Sequence, residues 1–368
     1  MTPDTSVLIA GGGPVGLTAA VELMRRGFQP IIIDDDGEPT PESRALAVNA
    51  RTLDILEPSG VTERIIEAGT RINGMIFLRG GRETMRLQMR YLPHRFNFMV
   101  SLPQSRTEEL LIGRLAELGG NVNWFTELRQ FRQNENGIQC ELHSKAGTKE
   151  HPCQVLIGAD GAHSLVRKSL GLAFDGETEP EAFSLADVTL ADWPFPFDHG
   201  AVHADGDRIV GFIPISEGHG RFVSNYPDLL NHLPPTAKVR DVIWESSFKI
   251  SYRQVETYQS GRTFLAGDAA HIHSPVGGRG MNLGIEDAAT LAWLIEQGRT
   301  GEYTAMRHPV GEQVLKFTQA QTEQLTQRGA LQRFLQNTVA PLLLKLPAIQ
   351  RLAVSRIAGL ETPPPPWL

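Results

Sequence analysis

Three glycines, Gly11, Gly13 and Gly16, follow the apolar run Val7–Ala10 at the spacing G-x-G-x-x-G. In a phosphate-binding turn each has its own reason to be glycine. The first makes the tight turn, the second lets a pyrophosphate approach the backbone, and the third lets helix pack on strand. Pro14 and Val15 complete the turn, and Leu17, Ala20, Val21 and Met24 then recur at helical spacing until Gly27. A second apolar run, Ile31–Ile33, ends in Asp34. A carboxylate there, about 20 residues beyond the glycines, accepts hydrogen bonds from a ribose. The glycine pattern alone is common. With strand, helix, second strand and terminal acid it specifies a dinucleotide site. An acid at Asp34 fits an unphosphorylated ribose, hence FAD or NAD rather than NADP in this site.

A second constellation runs from Thr263 to Ile295. The apolar run Thr263–Ala266 meets Gly267 and Asp268, then a loop holding Pro275, Gly277, Gly278 and Gly280. Helical periodicity starts at Met281 and continues through Ile285, Ala288, Ala292 and Ile295. Glycines admit a flat ligand to the backbone. A helix start offers unpaired N–H groups and partial positive charge. A ligand that turns anionic on reduction, such as a flavin, would be stabilised there.

These residues need elements to hold them. Arg44 precedes the helical pattern Leu46, Leu53, Leu56; it can grip a diphosphate or stand solvated at the surface. Residues 72–100 read as strands joined at Gly80–Gly81. A helix then returns over 101–120, with Ser105 or Thr107 expected as its cap and Gln104 just before it. Strands turn at Asn136–Gly137 and Ala146–Gly147 and end in Val155–Ile157, followed by Gly158-Ala159-Asp160-Gly161 and a helix from Ser164 to Leu170. Residues 173–252 have strand-like composition with many prolines and aromatics, and 300–368 read as helical, with an apolar segment from Val339 to Leu360. The expected fold class is α/β: a Rossmann-like domain (1–71, 101–172 and 254–300), an inserted antiparallel-sheet substrate domain (72–100 and 173–253) and C-terminal helices (301–368).

Composition sets bounds. A net charge of −7 over 368 residues argues against a nucleic-acid surface. The two cysteines, Cys140 and Cys153, form neither a disulfide framework nor a metal set. No signal peptide and no apolar run of about 18 residues is evident, so a cytoplasmic chain without a transmembrane segment is expected.

Three separated motifs line up: GGGPVG near residue 11, GADGAHSLVRKSLG at 158–171 and GRTFLAGDAAH at 261–271. Together they resemble the single-component FAD-dependent aromatic hydroxylases, the p-hydroxybenzoate hydroxylase-like flavoprotein monooxygenases, over residues 6 to about 300. The resemblance implies that Gly11, Gly13, Pro14, Val15, Gly16 and Asp34 hold the ADP half of FAD. Arg44 and Gln104 match cofactor-contacting positions, Asp160 a residue tied to FAD and NAD(P)H handling, and Asp268 the residue at the ribityl and pyrophosphate region. Pro275, Gly278, Gly280, Met281 and Asn282 match the border of the isoalloxazine ring. Two departures stand out. Asp34 replaces a usual glutamate, and Arg279 stands where glutamine or lysine is expected, either adding charge near the reduced flavin or facing solvent. Longer relatives carry a thioredoxin-like C-terminal domain, which is not expected here.

The implied reaction uses NADH or NADPH as a transient co-substrate and O2, through a flavin C4a-hydroperoxide, to hydroxylate a small aromatic or polyketide-like molecule. Epoxidation, Baeyer–Villiger insertion, a reductase and a non-catalytic flavoprotein are the alternatives. Asp35 and Asp36 would repel a 2′-phosphate, favouring NADH. His203, His219 and His273 are conceivable bases, but no partner spacing singles one out, so no catalytic residue is assigned. Arg253 can meet a substrate carboxylate or NAD(P)H, or make a structural salt bridge. A monomer or homodimer is expected, with no metal.

Overall fold

The computed structural model describes residues 1–39, 45–205, 208–275, 277–326 and 340–368. Arg44 and Val339 lie outside the described residues. The first glycine motif sits where three apolar strands meet. Val7–Ala10 is flanked by Ile31–Ile33 and Val155–Gly158, both parallel to it. Thr263–Leu265 and Val122–Asn123 extend this parallel run on either side, and Gln259–Ser260 closes one edge antiparallel. These strands are near-continuous apolar runs because helices cover both faces. Leu8, Ile9, Leu17, Val21, Ile157 and Leu265 are fully buried, each contributing about 1.5–3 kcal/mol on burial.

The strand-like stretches at 74–88 and 175–254 supply seven strands of an eight-stranded sheet, and His271–Ile272 is the eighth. The sheet is antiparallel except where His199–Asp205 runs parallel to Gly74–Arg79. Gly80 and Gly81 turn the Gly74–Arg79/Arg82–Gln88 hairpin with φ of +52° and +74°, the left-handed region that favours glycine. Met99–Ser101 does not join this sheet; it pairs with Ala47–Val48 and Thr70–Ile72. The large sheet is stitched to the nucleotide-binding side twice. His271–Ile272, just after the Gly267–Asp268 turn, pairs with Arg253–Gln254. Thr70 Oγ1 donates to Ile215 O at 2.7 Å.

The helix after Met99–Ser101 spans Gln104–Glu117, with Pro103 at its N-cap and no side-chain cap. The expected Ser105 or Thr107 cap is therefore wrong. The reason is tertiary: Gln104 N donates to Ala45 O at 3.0 Å, and the helix starts there, ahead of both expected caps. Cys140 and Cys153 are buried free thiols with Sγ atoms 3.8 Å apart. Among the described residues no helix is long and apolar enough to cross a membrane. The Pro347–Ile357 helix packs Val354 and Ala358 against Ala50, Leu87 and Met89, while Leu352 is exposed.

Candidate functional site

Gly11 takes φ +110° and donates to Ile33 O at 2.9 Å. A Cβ on it would sit 2.2 Å from Ala159 O. A Cβ on Gly16 would sit 1.9 Å from Gly11 O. A Cβ on Gly13 would meet nothing within 4 Å. Two glycines are thus required by the protein itself, and the middle one guards open space. That space is a cleft of about 370 Å3 lined by Gly11, Gly13, Asp34, Thr126, Asp160 and His163. Pro14, which has no N–H, opens the Pro14–Met24 helix, and Gly13, which lines the cleft, caps it without a side chain, so the Val15 and Gly16 N–H groups have no capping partner. An open, glycine-walled hollow at a helix N-terminus is what the pyrophosphate of FAD requires. Val15 acts on the packing instead. Cβ atoms on Gly267 and Gly284 would lie 2.8 and 2.6 Å from its Cγ2, so it wedges between both.

Asp34 ends its strand at the cleft. Its carboxylate accepts from Gly12 N at 2.5 Å and Asp36 N at 2.9 Å. Burial pushes its carboxyl above the ordinary value, and the two backbone donors offset part of that. Asp160 caps the turn behind the second motif, accepting from Ser164 Oγ at 2.6 Å and Val166 N at 3.0 Å. Ser164 Oγ in turn accepts from Arg167 N at 2.9 Å at the start of the Leu165–Ser169 helix. Asp160 therefore lines the cleft and shapes it.

Gln104 links two segments. Its Oε1 accepts from Ala45 N at 3.4 Å and its Nε2 donates to Glu108 Oε1 at 2.9 Å. Glu108 is 2% exposed. Burial pushes its carboxyl up to about 7, the Gln104 donor pulls the other way, and Asp34 adds to the rise. A native value raised above the unfolded one makes stability fall as pH climbs from the ordinary carboxylate range to about 7. The full cost, on the order of 2–3 kcal/mol, is present above that. Glu108→Gln should abolish this slope, gaining stability at pH 8 but not at pH 4. Urea denaturation at both pH values measures it, and an unchanged slope would refute it.

The third motif places Asp268 on the exposed face of a short 3-10 turn, Gly267–Ala269. Pro275 is exposed, and Gly278, at φ +63°, donates from its N–H to Pro275 O at 2.9 Å. A Cβ on Gly278 would come within 2.8 Å of Ala47 Cβ. The helix starts at Gly280, one residue before the expected Met281, and its N-cap, Arg279, offers no side-chain cap. Met281 is half-buried. Asn282 is fully used by the protein: its Nδ2 donates to Ala47 O and Gly278 O, and its Oδ1 accepts from Asn49 N at 3.0 Å. It sutures the glycine loop to the Ala47–Val48 strand.

Arg279 neither faces solvent nor stands unpaired. It is 2% exposed and paired to Glu361 at 2.6 Å. Beneath the loop lies a charge network that sequence reasoning missed. Arg307 donates to Asp287 Oδ1 at 2.7 Å and Glu286 Oε1 at 2.5 Å. Asp287 Oδ2 also meets His271 Nε2 at 2.6 Å and Gly267 N at 3.2 Å. The signal was available: Glu286 and Asp287 stand inside an otherwise apolar helix and require a buried counter-charge.

Burial pulls all three histidines below the ordinary imidazole value. His203 is pushed down by burial among Trp193 and Phe195, and His219 likewise, with Asp187 opposing. His273 falls to about 3, by burial first and the charges of His271 and Arg279 next. Its Nδ1 meets Ser274 O at 3.0 Å. Arg253 makes a structural contact, donating to Phe174 O at 2.9 Å and Thr178 Oγ1 at 3.3 Å.

Comparison with known proteins agrees with this geometry. The profile of the FAD binding domain family matches residues 4–229 and 226–318. Pentachlorophenol 4-monooxygenase of Sphingobium chlorophenolicum is 35% identical over 354 residues, covering 89% of this chain and 66% of that protein. The chain thus spans just under two thirds of that relative's length. An anhydrotetracycline hydroxylase from Streptomyces rimosus is 30% identical with a TM-score of 0.81, over 97% of this chain and 76% of that one. A p-nitrophenol 4-monooxygenase from Pseudomonas putida DLL-E4 shares the fold, with a TM-score of 0.88 at 22% identity over 97% and 98% of the two chains. The chain belongs to the FAD binding domain family, among the FAD-dependent aromatic hydroxylases that its three motifs resemble.

Proposed function

We propose that this chain is an FAD-dependent, NAD(P)H-consuming monooxygenase that hydroxylates an aromatic or polyketide-like small molecule. The observation that carries this reading is the pairing of an open cradle at Gly13 with the glycine loop at 277–280 in a member of this family. Relatives named for pentachlorophenol and anhydrotetracycline point to ring substrates. Bound FAD supplies electron transfer from the nicotinamide and activation of oxygen.

The chain's own residues supply position. Gly11, Gly13 and Gly16 with the first turn of the Pro14–Met24 helix receive the pyrophosphate. Asp34 accepts from the ribose, and Gln104 approaches from the adjoining segment. Asp160 serves FAD and NAD(P)H handling from the same cleft, Asp268 borders the ribityl and pyrophosphate region, and Pro275, Gly278, Gly280, Met281 and Asn282 border the isoalloxazine ring. Residues 1–71, 101–172 and 254–300 make up the FAD-binding part, 72–100 and 173–253 the substrate part, and 301–368, of which 327–339 lie outside the described residues, the C-terminal region. Apolar side chains of the large sheet, such as Phe183, Ile209 and Ile250, exclude water.

Two measurements test this. FAD-loaded protein mixed with NADH or NADPH should consume O2 faster when a phenol or polyketide is added. Reoxidation with no product across such a panel would instead favour a reductase or a non-catalytic flavoprotein. Asp35 and Asp36 in the cleft wall would repel a 2′-phosphate that passed there. NADH should therefore give the higher kcat/KM, and a preference for NADPH would refute that arrangement.

A further inference from the structure

The family match ends at residue 318, yet the chain beyond it reaches back to the glycine loop. Arg279 Nη1 donates to Glu361 Oε1 and to Arg356 O, both at 2.6 Å. Arg51 holds the same tail: its backbone N donates to Ala358 O at 3.2 Å and its Nη2 to Thr362 O at 3.1 Å. Gly359, at φ +78°, fits against Arg51 and Asn49, where a Cβ would come within 3.0 Å of either side chain. Trp367 packs on Trp293 at 5.6 Å. Among the described residues Glu361 is the one carboxylate within ion-pair distance of Arg279.

We propose that Glu361 is a positioning residue for the cofactor: by pairing with Arg279 it neutralises a buried cation at the start of the Gly280–Gln297 helix and so sets the reduction potential of the bound flavin. This rests on the reading that FAD lies along this loop. The helix start already carries partial positive charge from its unpaired N–H groups. An uncompensated guanidinium beside it would add a full charge in a poorly screened interior. Reduction adds negative charge to a flavin, so such a cation favours the reduced form. With Glu361 in place the bound flavin stays a stronger electron donor. The pair is also poorly satisfied in other respects, since Arg279 Nε and Glu361 Oε2 are buried without partners. Its charge balance, more than its hydrogen bonding, is what the tail contributes.

Midpoint potentials of the FAD-bound wild type, Glu361→Gln, Arg279→Gln and the double variant would test this, by anaerobic dye-equilibrated titration. Glu361→Gln should shift the potential positive by at least about tenfold in the preference for reduced over oxidised flavin, ~30 mV for a two-electron couple. At a pH high enough to keep the unpaired Glu361 ionised, Arg279→Gln should shift it the other way, and the double variant should return to the wild-type value. A merely structural tail contact would loosen FAD in both single variants without opposite shifts. Equal potentials, or shifts of one sign, overturn the proposal. Should Glu361→Gln not fold, a negative shift in Arg279→Gln that the double variant cancels supports it, and no shift overturns it. Wild-type protein that binds no FAD removes the reading of the loop and this proposal with it; bound FAD with unmoved potentials removes this proposal alone.

Discussion

Arg307→Ala is expected to remove about 3–5 kcal/mol of stability, the scale for breaking one side of a buried ion pair. Arg307 is 3% exposed and Glu286 and Asp287 are 2% and 0% exposed. With the guanidinium gone, two carboxylates stay on the buried Gly280–Gln297 helix with only His271 and Gly267 N beside Asp287. A domain's whole margin is about 5–15 kcal/mol, so the loss takes a large share of it. The pH dependence has a definite sign. Burial pushes Asp287 up, but Arg307 and His271 outweigh it and hold its carboxyl below the ordinary value. In the wild type its contribution is present above the unfolded carboxylate range and lost as pH falls through the native value. In the variant the Asp287 carboxylate, without Arg307 to hold it down, takes up a proton more readily, so the deficit should shrink in acid. Urea denaturation near pH 7.5 and pH 5 measures both effects. A loss under about 1 kcal/mol at the higher pH would mean that water or local opening reaches the network. Because Asp287 also accepts from Gly267 N, FAD affinity should fall with stability.

That network marks the boundary of what could be read from the chain alone. The strand–turn–helix at 7–24 was legible because each glycine answers a local steric demand: a positive φ at Gly11 and a close backbone at Gly16. The strand-rich stretches at 72–100 and 173–252 were legible as composition. Their order was not, because the parallel pairing of His199–Asp205 with Gly74–Arg79 joins segments far apart in sequence. Charged residues were the hardest to place. Arg307 stands in a stretch that reads only as helical, and Arg279 finds its partner 82 residues on. Nothing local distinguishes a solvated arginine from a buried one; only the fold brings the counter-charge. Asn282 shows the same limit in milder form. Its place in the motif suggests a ligand contact, while its amide is spent on Ala47 O, Gly278 O and Asn49 N. It acts on any bound ring through the loop that it holds.

Alanine at Gly13 and at Gly16 should separate binding from folding. Gly13 has φ −74° and ψ −175°, backbone that alanine adopts freely, and its Cβ would enter open space. The melting temperature of the FAD-free protein should therefore stay at the wild-type value. The methyl group would stand where the pyrophosphate must approach, so FAD should bind at least about 100-fold more weakly, ~2.7 kcal/mol. Gly16 is the reverse case. Its Cβ would lie 1.9 Å from Gly11 O and 3.3 Å from Ile9 Cγ2. The first contact is backbone, which cannot swing aside, so helix and strand must separate. Overpacking of this kind costs about 1–3 kcal/mol or more, and it should appear in the FAD-free protein as a lower melting temperature. Fluorescence titration with FAD and thermal unfolding without it give the two readouts. Should Gly13→Ala bind FAD like the wild type, the pyrophosphate does not lie over this turn. Should Gly16→Ala melt like the wild type, the helix can move off the strand and the glycine spacing has no steric cause. The two variants failing in opposite assays would show that one motif serves two physical demands, closeness of the chain to itself and closeness of the chain to its cofactor.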